Sequence, residues 1–114
     1  MVAINFSEQF APRVESGEKR QTIRRSKKCE AGAALQLYTG QRTKKCRKLR
    51  DEACRDVTYV GLTERGVSLG DVRRFPRDID EFARLDGFDD YAAMWKWFSE
   101  RYKTNSFTGY IIRW

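Results

Sequence analysis

A helix is predicted to give way to a strand in the stretch GEKRQTIRR, which spans residues 17–25. Gly17 is able to adopt the left-handed conformation that ends many helices, and the second half of the stretch alternates as a β-strand does. Thr22 and Arg24 then share one face of that strand, and the long side chain of Lys19 is able to reach this face from the turn. The stretch therefore gathers an amine, a hydroxyl and guanidinium groups at one junction.

The chain contains no histidine, although an imidazole is the usual base or ligand in acyl-transfer, nuclease and metal-hydrolase sites. Any proton transfer must therefore use Lys, Asp, Glu, Tyr or Cys. The three cysteines, Cys29, Cys46 and Cys54, lack the C-x-x-C spacing of redox and zinc motifs. A bridge between Cys46 and Cys54 is one alternative, but we expect reduced thiols, no metal and no cofactor.

Length and composition predict a single domain over residues 1–114. The hydrophobic fraction of 40% is too high for a disordered chain, and the charged fraction of 34% indicates a small, highly solvated globule. No apolar run approaches the roughly 20 residues of a membrane span, and the N-terminus lacks signal-peptide features. We expect a cytoplasmic protein with no membrane partner, and a monomer, although nothing in the sequence determines the oligomeric state.

The net charge of +7 is concentrated in one part of the chain. Residues 13–55 contain 14 Lys or Arg against 5 Asp or Glu, so their local balance is +9 and that of the remainder is −2. A one-sided positive field favours a polyanionic partner, with nucleic acid ahead of an anionic membrane surface. The alternative interpretation is a face that serves only solubility.

Hydrophobic periodicity predicts strands in the first two-thirds of the chain, helices near both ends and a final strand. Ser7 is the predicted cap of the first helix, and the basic segment 41–56 is predicted as a loop or strand edge in solvent. The predicted strands are 2–6, 21–24, 34–39, 57–62, 66–69 and 107–114, and the predicted helices follow Ser7, Asp78 and Asp89. This order indicates an α+β fold, a small and partly open mixed β-barrel flanked by helices.

The last helix carries one apolar stripe, which predicts core rather than a ligand pocket. Trp97 lies off the stripe, where it is either a shoulder of the core or a stacking platform for a base. The stripe consists of Tyr91, Met94, Trp95, Phe98 and Tyr102.

Four features in this order resemble the ASCH domain family, which belongs to the PUA-like superfamily of small β-barrels. The resemblance covers nearly the whole chain and implies RNA binding or RNA-related hydrolysis. The features are Gly17-x-Lys19-x-x-Thr22-x-Arg24, the strand Gly32-x-x-Leu35-Gln36-Leu37, the turn Ala83-x-x-Asp86-Gly87-Phe88 before a helix, and a terminal aromatic strand.

Within this family the chain is similar to the small amidohydrolases that remove the acetyl group from N4-acetylcytidine. The resemblance implies that Thr22 is the nucleophile, Lys19 the base that activates it, and Asp86 the proton donor. A buried lysine beside other cations is able to act as a base because its pKa falls toward neutrality. The acid here is an aspartate, one methylene shorter than the glutamate of the family enzymes.

Two functions remain open at this stage. The chain is either a hydrolase that acts on a modified nucleoside or on RNA, or a non-catalytic RNA-binding module that uses the pocket and the 41–56 segment. A protein-binding adaptor is a third alternative. The residues predicted to contact nucleic acid are Arg20, Arg24, Arg25, Arg42, Lys44, Lys45, Arg47 and Lys48.

Overall fold

Residues 1–70 and 75–114 are described by a computed structural model of the chain, and they form an α+β fold. The elements in chain order are β1 (Val2–Phe6), α1 (Ala11–Ser16), β2 (Gln21–Arg24), β3 (Ala34–Thr39), β4 (Arg47–Ala53), β5 (Asp56–Thr63), β6 (Gly66–Leu69), α2 (Ile79–Leu85), α3 (Tyr91–Tyr102) and β7 (Ser106–Arg113). The predicted α+β class is therefore confirmed.

The strands form two sheets. The first is mixed and has the order β1-β3-β4, in which β1 is parallel to β3 and β3 is antiparallel to β4. The second is antiparallel and has the order β2-β7-β5-β6. Within residues 1–70 and 75–114, no strand pairing joins the two sheets into a closed barrel. The parallel β1-β3 pair places the C-terminal ends of both strands at one edge of the first sheet.

One hydrophobic core is shared by both sheets and α3. Ile111 and Ile112 are adjacent in β7 and therefore point to opposite faces of the sheet, yet both are fully buried. The central strand is thus covered on both sides. Tyr91, Met94 and Phe98 of the apolar stripe are buried in this core, whereas Trp95 and Tyr102 are half-buried and pack against it, so the core prediction is confirmed for three of the five residues.

The first helix begins later than predicted, and the expected cap at Ser7 is wrong. Helix α1 starts at Ala11 with Phe10 at its N-cap, and the carbonyl of Ser7 accepts a hydrogen bond from the Phe10 N–H. Proline is tolerated only in the first turn of a helix, because it lacks an N–H and its ring clashes with the carbonyl four residues earlier. Pro12 therefore sets the start of α1, and Gly17 ends the helix at φ 88° as predicted.

The basic segment 41–56 is partly a strand. Residues 40–46 form a turn, and the strand β4 that follows lies at the edge of the first sheet, in agreement with one of the two alternatives. Leu49 is buried against the core while charged neighbours face solvent. Charged side chains are common on edge strands because they discourage pairing with another chain.

The alternative disulfide between Cys46 and Cys54 is wrong. These residues flank the two ends of β4, a strand that is about 23 Å long at 3.3 Å per residue. Cys54 instead lies beside Cys29, with 3.9 Å between the two buried Sγ atoms, and all three thiols are free. Burial raises the pKa of the Cys54 thiol to about 11, so this thiol is a poor nucleophile at neutral pH.

Candidate functional site

Backbone hydrogen bonds fix the junction between α1 and β2. The N–H of Lys19 donates to the carbonyl of Arg13, and the N–H of Arg20 donates to the carbonyl of Leu85 at the end of α2. The carbonyl of Arg20 accepts from the N–H of Trp114. These contacts hold the junction against α1, α2 and the end of β7. The Lys19 side chain runs toward the C-terminus of α2.

The turn after α2 is a Schellman motif, and it accounts for the sequence Ala83-x-x-Asp86-Gly87-Phe88. The N–H of Phe88 donates to the carbonyl of Ala83, and the N–H of Gly87 donates to that of Arg84. This motif requires a left-handed residue after the cap, and Gly87 supplies it at φ 93°. Asp86 is consequently held at the C-cap of α2, directly opposite Lys19.

Lys19 and Asp86 form a buried ion pair. Each residue is only 2% exposed, and Lys19 Nζ lies 3.6 Å from Asp86 Oδ2. Lys19 Nζ also donates a hydrogen bond of 2.5 Å to the backbone carbonyl of Asp86. Gln21, itself buried, donates from Nε2 to Asp86 Oδ1 and to the carbonyl of Phe82, each at 3.4 Å. The carboxylate is therefore held from two sides.

Burial moves the pKa values of the two partners toward each other. Desolvation lowers the pKa of Lys19 to about 8, and the positive charge of Arg24 acts in the same direction against the opposing influence of Asp86. Desolvation raises the pKa of Asp86 to about 6, although Lys19 and the Gln21 hydrogen bond favour the carboxylate. Both groups are thus poised for proton transfer near neutral pH.

Thr22 completes this group. Its side chain is buried on β2, and its Oγ1 accepts a hydrogen bond of 3.2 Å from Nε of Arg24, which lies on the same face of the strand. Arg24 is fixed in turn by a 2.9 Å hydrogen bond to the carbonyl of Asn5. The hydroxyl therefore lies beside a permanent positive charge.

Lys19, Thr22 and Asp86 all line one pocket of about 290 Å³. The walls are largely aromatic, and the polar groups converge from the α1-β2 junction, β2, the end of α2 and α3. The remaining lining residues are Asn5, Phe6, Ser7, Phe10, Ile23, Arg24, Phe88, Trp97, Phe98, Arg101 and Tyr102.

Trp97 lies at the boundary between the core and the pocket. The half-buried indole packs edge-on against Phe10 and Phe98, with ring centres 5.6 and 4.9 Å apart, and it also lines the pocket. The aromatic walls and Arg101 were missed by sequence reasoning. Their contribution depends on how α3 packs against β1 and the junction, and hydrophobic periodicity carries no signal for that packing.

The three cations predicted near the junction are in different places. Arg24 lines the pocket, whereas the exposed Arg25 stacks on Tyr102 with 5.0 Å between the guanidinium carbon and the ring centre. Arg20 is exposed and lies outside the pocket lining.

The basic turn 40–46 borders the pocket. It leaves β3 at the edge where the parallel strand β1 also ends, and the N–H of Gln41 donates 2.9 Å to Oδ1 of the pocket residue Asn5. Arg42, Lys44 and Lys45 are exposed in this turn and form no ion pair with any residue that the structure describes.

The other two predicted cations of the segment lie on β4 and are neutralised locally. Arg47 Nη1 lies 2.6 Å from Glu15 Oε2, and Lys48 Nζ lies 3.1 Å from Asp51 Oδ1. Of the five cations predicted to contact nucleic acid in this segment, three are therefore uncompensated and lie in the turn beside the pocket, and two are paired on β4.

No protein-family model, curated protein or solved structure matches this chain. The resemblance to the ASCH family therefore stays a prediction. In the part of the chain that the structure describes, no group of three or more Cys, Asp and Glu side chains is placed to hold a metal ion. Likewise, no helix of the described ranges has the length and hydrophobicity that a membrane crossing requires.

The first prediction concerns the buried pair. Lys19→Met keeps the methylene stem but leaves Asp86 buried without its cation, so the pKa of Asp86 should rise further above 6. A carboxyl with a higher pKa in the folded state binds more protons when folded, so stability falls as pH rises from the unfolded pKa to the folded one. We expect the variant to lose about 1.4 kcal/mol per pH unit above pH 6, where the contribution of Asp86 in the parent levels off.

Urea unfolding at pH 5, 6, 7 and 8 measures this loss. The double variant Lys19→Met/Asp86→Asn is the control, since it has no titrating group at this position and should show no such slope. Equal slopes for the single and double variants would show that Asp86 is not held by Lys19.

The second prediction concerns Gly87, whose missing side chain makes room for Lys19. A Cβ at Gly87 would lie 3.0 Å from Lys19 Cδ and 3.2 Å from Phe10 Cδ1, whereas one at Gly32 meets nothing within 4 Å. Both glycines have positive φ, so Gly32→Ala should lose about 1–2 kcal/mol of unfolding free energy from backbone strain alone. Gly87→Ala should lose more in the same urea experiment. A loss at Gly87 no larger than that at Gly32 would contradict the close approach.

Proposed function

We propose that this chain is a hydrolase of ASCH type that removes an acyl group from a modified nucleoside such as N4-acetylcytidine. The observation that carries the proposal is the convergence of Lys19, Thr22 and Asp86 on one aromatic-walled pocket. Two sheets around a shared core, with helices beside them, are compatible with a partly open barrel of the PUA-like superfamily. The aromatic walls suit a flat base, because every base offers a π-face for stacking.

Thr22 is the proposed nucleophile. A hydroxyl has one hydrogen to donate and two lone pairs, and Arg24 already donates to Oγ1, so the hydroxyl hydrogen remains for another acceptor. The neutral amine of Lys19 is that acceptor in the proposed mechanism. The guanidinium of Arg24 favours negative charge on Oγ1 and on the oxyanion that forms from the acyl carbonyl.

In the first half of the proposed reaction, Thr22 Oγ1 attacks the acetyl carbonyl carbon and its proton passes to Lys19 Nζ. The tetrahedral intermediate then expels N4 of the base, which takes a proton from Asp86 and leaves as cytidine. In the second half, water attacks the acetyl ester of Thr22 and gives a proton to the Asp86 carboxylate. Lys19 returns its proton to Oγ1, and acetic acid leaves and ionises to acetate in water.

This mechanism starts from neutral Lys19 and protonated Asp86, which together hold as many protons as the ion pair does. The two forms interconvert by one proton transfer within the pocket. With pKa values of about 8 and about 6, the reactive form is the minor tautomer of the ion pair between pH 6 and pH 8. Below this window Lys19 is protonated together with Asp86, and above it both groups are deprotonated.

The third prediction is that the purified protein converts N4-acetylcytidine into cytidine and acetate, with a bell-shaped dependence of rate on pH that falls below about 6 and above about 8. Lys19→Met, Thr22→Val and Asp86→Asn should each lower the rate by about 100-fold or more, as for loss of an acid, base or nucleophile. Mass detection of cytidine measures the reaction.

Thr22→Ser keeps a hydroxyl and should retain part of the rate. Lys27→Met is the matched control for Lys19→Met, because Lys27 is an exposed lysine paired with Glu30 on the surface. An undiminished rate in Lys19→Met would eliminate the proposed mechanism.

A second function, RNA binding without chemistry, is favoured by the position of the basic turn. The turn is attached to the pocket residue Asn5 through the Gln41 N–H, so a chain held on the turn has its neighbouring nucleotide at the pocket. In this alternative the pocket holds a base and the turn contacts the backbone.

The fourth prediction separates the three uncompensated cations of the turn from the two paired on β4. For a labelled single-stranded RNA, Arg42→Gln/Lys44→Gln/Lys45→Gln should reduce the slope of log affinity against log salt by about 2, at about 0.7 per phosphate contact. Arg47→Gln/Lys48→Gln should reduce it less, because Glu15 and Asp51 already neutralise these charges. Fluorescence anisotropy over a salt series measures both slopes. Affinity that does not depend on salt would exclude this function.

A further inference from the structure

Two guanidinium groups lie over aromatic rings that line the pocket. The guanidinium carbon of Arg101 lies 5.2 Å from the centre of the Trp97 ring, and that of Arg25 lies 5.0 Å from the centre of the Tyr102 ring. Trp97, Arg101 and Tyr102 line the pocket, and all belong to the last two turns of α3. Stacking on a ring fixes the plane of a guanidinium and leaves its N–H edges free to bind an anion.

These guanidiniums have no acidic counterpart among the residues that the structure describes. Among residues 1–70 and 75–114, neither Arg25 nor Arg101 forms an ion pair, and neither does Arg24 inside the pocket. The neighbouring arginine Arg13 differs, since it is paired with Asp89 at 2.7 Å. Burial and, to a smaller extent, the charge of Arg101 lower the pKa of Arg24. An anion bound at this side of the pocket would relieve the repulsion between the cations.

The size of the pocket places such an anion at the mouth. A volume of about 290 Å³ lies at the lower end of small-molecule sites, so a base with its ribose fills it. A phosphate attached to that ribose would then lie outside the aromatic walls, where Arg25 and Arg101 cover the rings of Tyr102 and Trp97. Guanidinium and phosphate are well matched, because the planar fork donates two parallel hydrogen bonds to phosphate oxygens.

We propose that Arg25 and Arg101 bind the phosphate of a nucleotide whose base occupies the pocket, so that the ligand of this site is a nucleoside phosphate rather than the free nucleoside. This inference rests on the proposed function for the occupancy of the pocket by a base. The same phosphate chemistry is present in a free mononucleotide and in a nucleotide unit of an RNA chain.

The experiment is calorimetric titration at low salt with cytidine, cytidine 5′-monophosphate, the dinucleotide CpC and ribose 5-phosphate. None of these ligands carries an acyl group, so binding is measured without turnover. We expect the monophosphate to bind at least tenfold more tightly than cytidine, as for hydrogen bonds to a charged group. If CpC binds as tightly as the monophosphate, the site recognises the phosphate of a nucleotide unit in RNA. If CpC binds clearly more weakly, the site recognises the phosphate of a free mononucleotide.

Variants test the assignment to these two residues. Arg25→Gln and Arg101→Gln should each remove most of the tenfold advantage of the monophosphate over cytidine. Arg101→Lys retains the charge without the planar fork and should recover only part of the advantage. Lys96→Gln is the control, because it removes an exposed cation of α3 that lies outside the pocket lining.

Three outcomes would overturn the inference. They are equal affinity for cytidine and its monophosphate, no binding of either at millimolar concentration, and ribose 5-phosphate binding as tightly as the monophosphate, which would indicate an anion patch without a base pocket. Deacetylation that persists alongside equal affinities would remove this inference and keep the hydrolase. Arginine-dependent binding of the monophosphate without deacetylation would remove the hydrolase and keep the nucleotide site.

Discussion

Lys19 and Asp86 are withdrawn from water together, and each has a pKa shifted in the direction that opposes its charge. Taking two charges out of water costs several kcal/mol per ion, and their attraction offsets this cost only when the surroundings hold both in place. The surroundings here include the backbone contact between Arg20 and Leu85, the amide of Gln21 and the Schellman turn at Gly87. Much of the local structure is thus arranged around two groups that weaken the fold.

Such an arrangement is typical of sites where stability is exchanged for chemistry. An apolar pair of similar volume would pack in the same space without desolvation cost. The polar atoms are nevertheless fully satisfied, since the described residues contain no buried side-chain nitrogen or oxygen without a hydrogen-bond partner. The energetic cost of the site is therefore electrostatic rather than a matter of missing hydrogen bonds. It arises because an amine and a carboxyl that share one proton are both buried.

The sequence predicted best those strands that are defined by their own residues and by the residues directly next to them. Strands β1, β2, β3 and β6 begin and end where predicted, because alternation and neighbouring glycine or polar residues define them. Strand β4 was only partly predicted, since its many charged residues have low strand propensity. Pairing with β3 and burial of Leu49 make it a strand. The start of α1 was missed because the fixed geometry of Pro12 outweighs the capping ability of Ser7.

The candidate site was predictable in part for the same reason. Lys19 and Thr22 share a junction that is visible in the sequence, and Asp86 entered through the family resemblance, whose spacing corresponds to a helix C-cap turn. Arg101 entered only with the structure, and the sequence left Trp97 between the core and a stacking platform, because the positions of both depend on how α3 packs across some eighty residues of intervening chain. The shifted pKa values likewise depend on burial, which no local pattern specifies.

Asn5, near the end of β1, links the pocket to the turn that follows the parallel strand β3. Its backbone carbonyl accepts a hydrogen bond from Arg24 on the pocket-lining face of β2, and its side chain accepts one from the Gln41 N–H in the basic turn. One residue thus fixes the distance between the pocket and the turn, so the two cannot drift apart without breaking a hydrogen bond. If a polynucleotide binds to both the turn and the pocket, this fixed distance determines which of its nucleotides lies opposite Thr22.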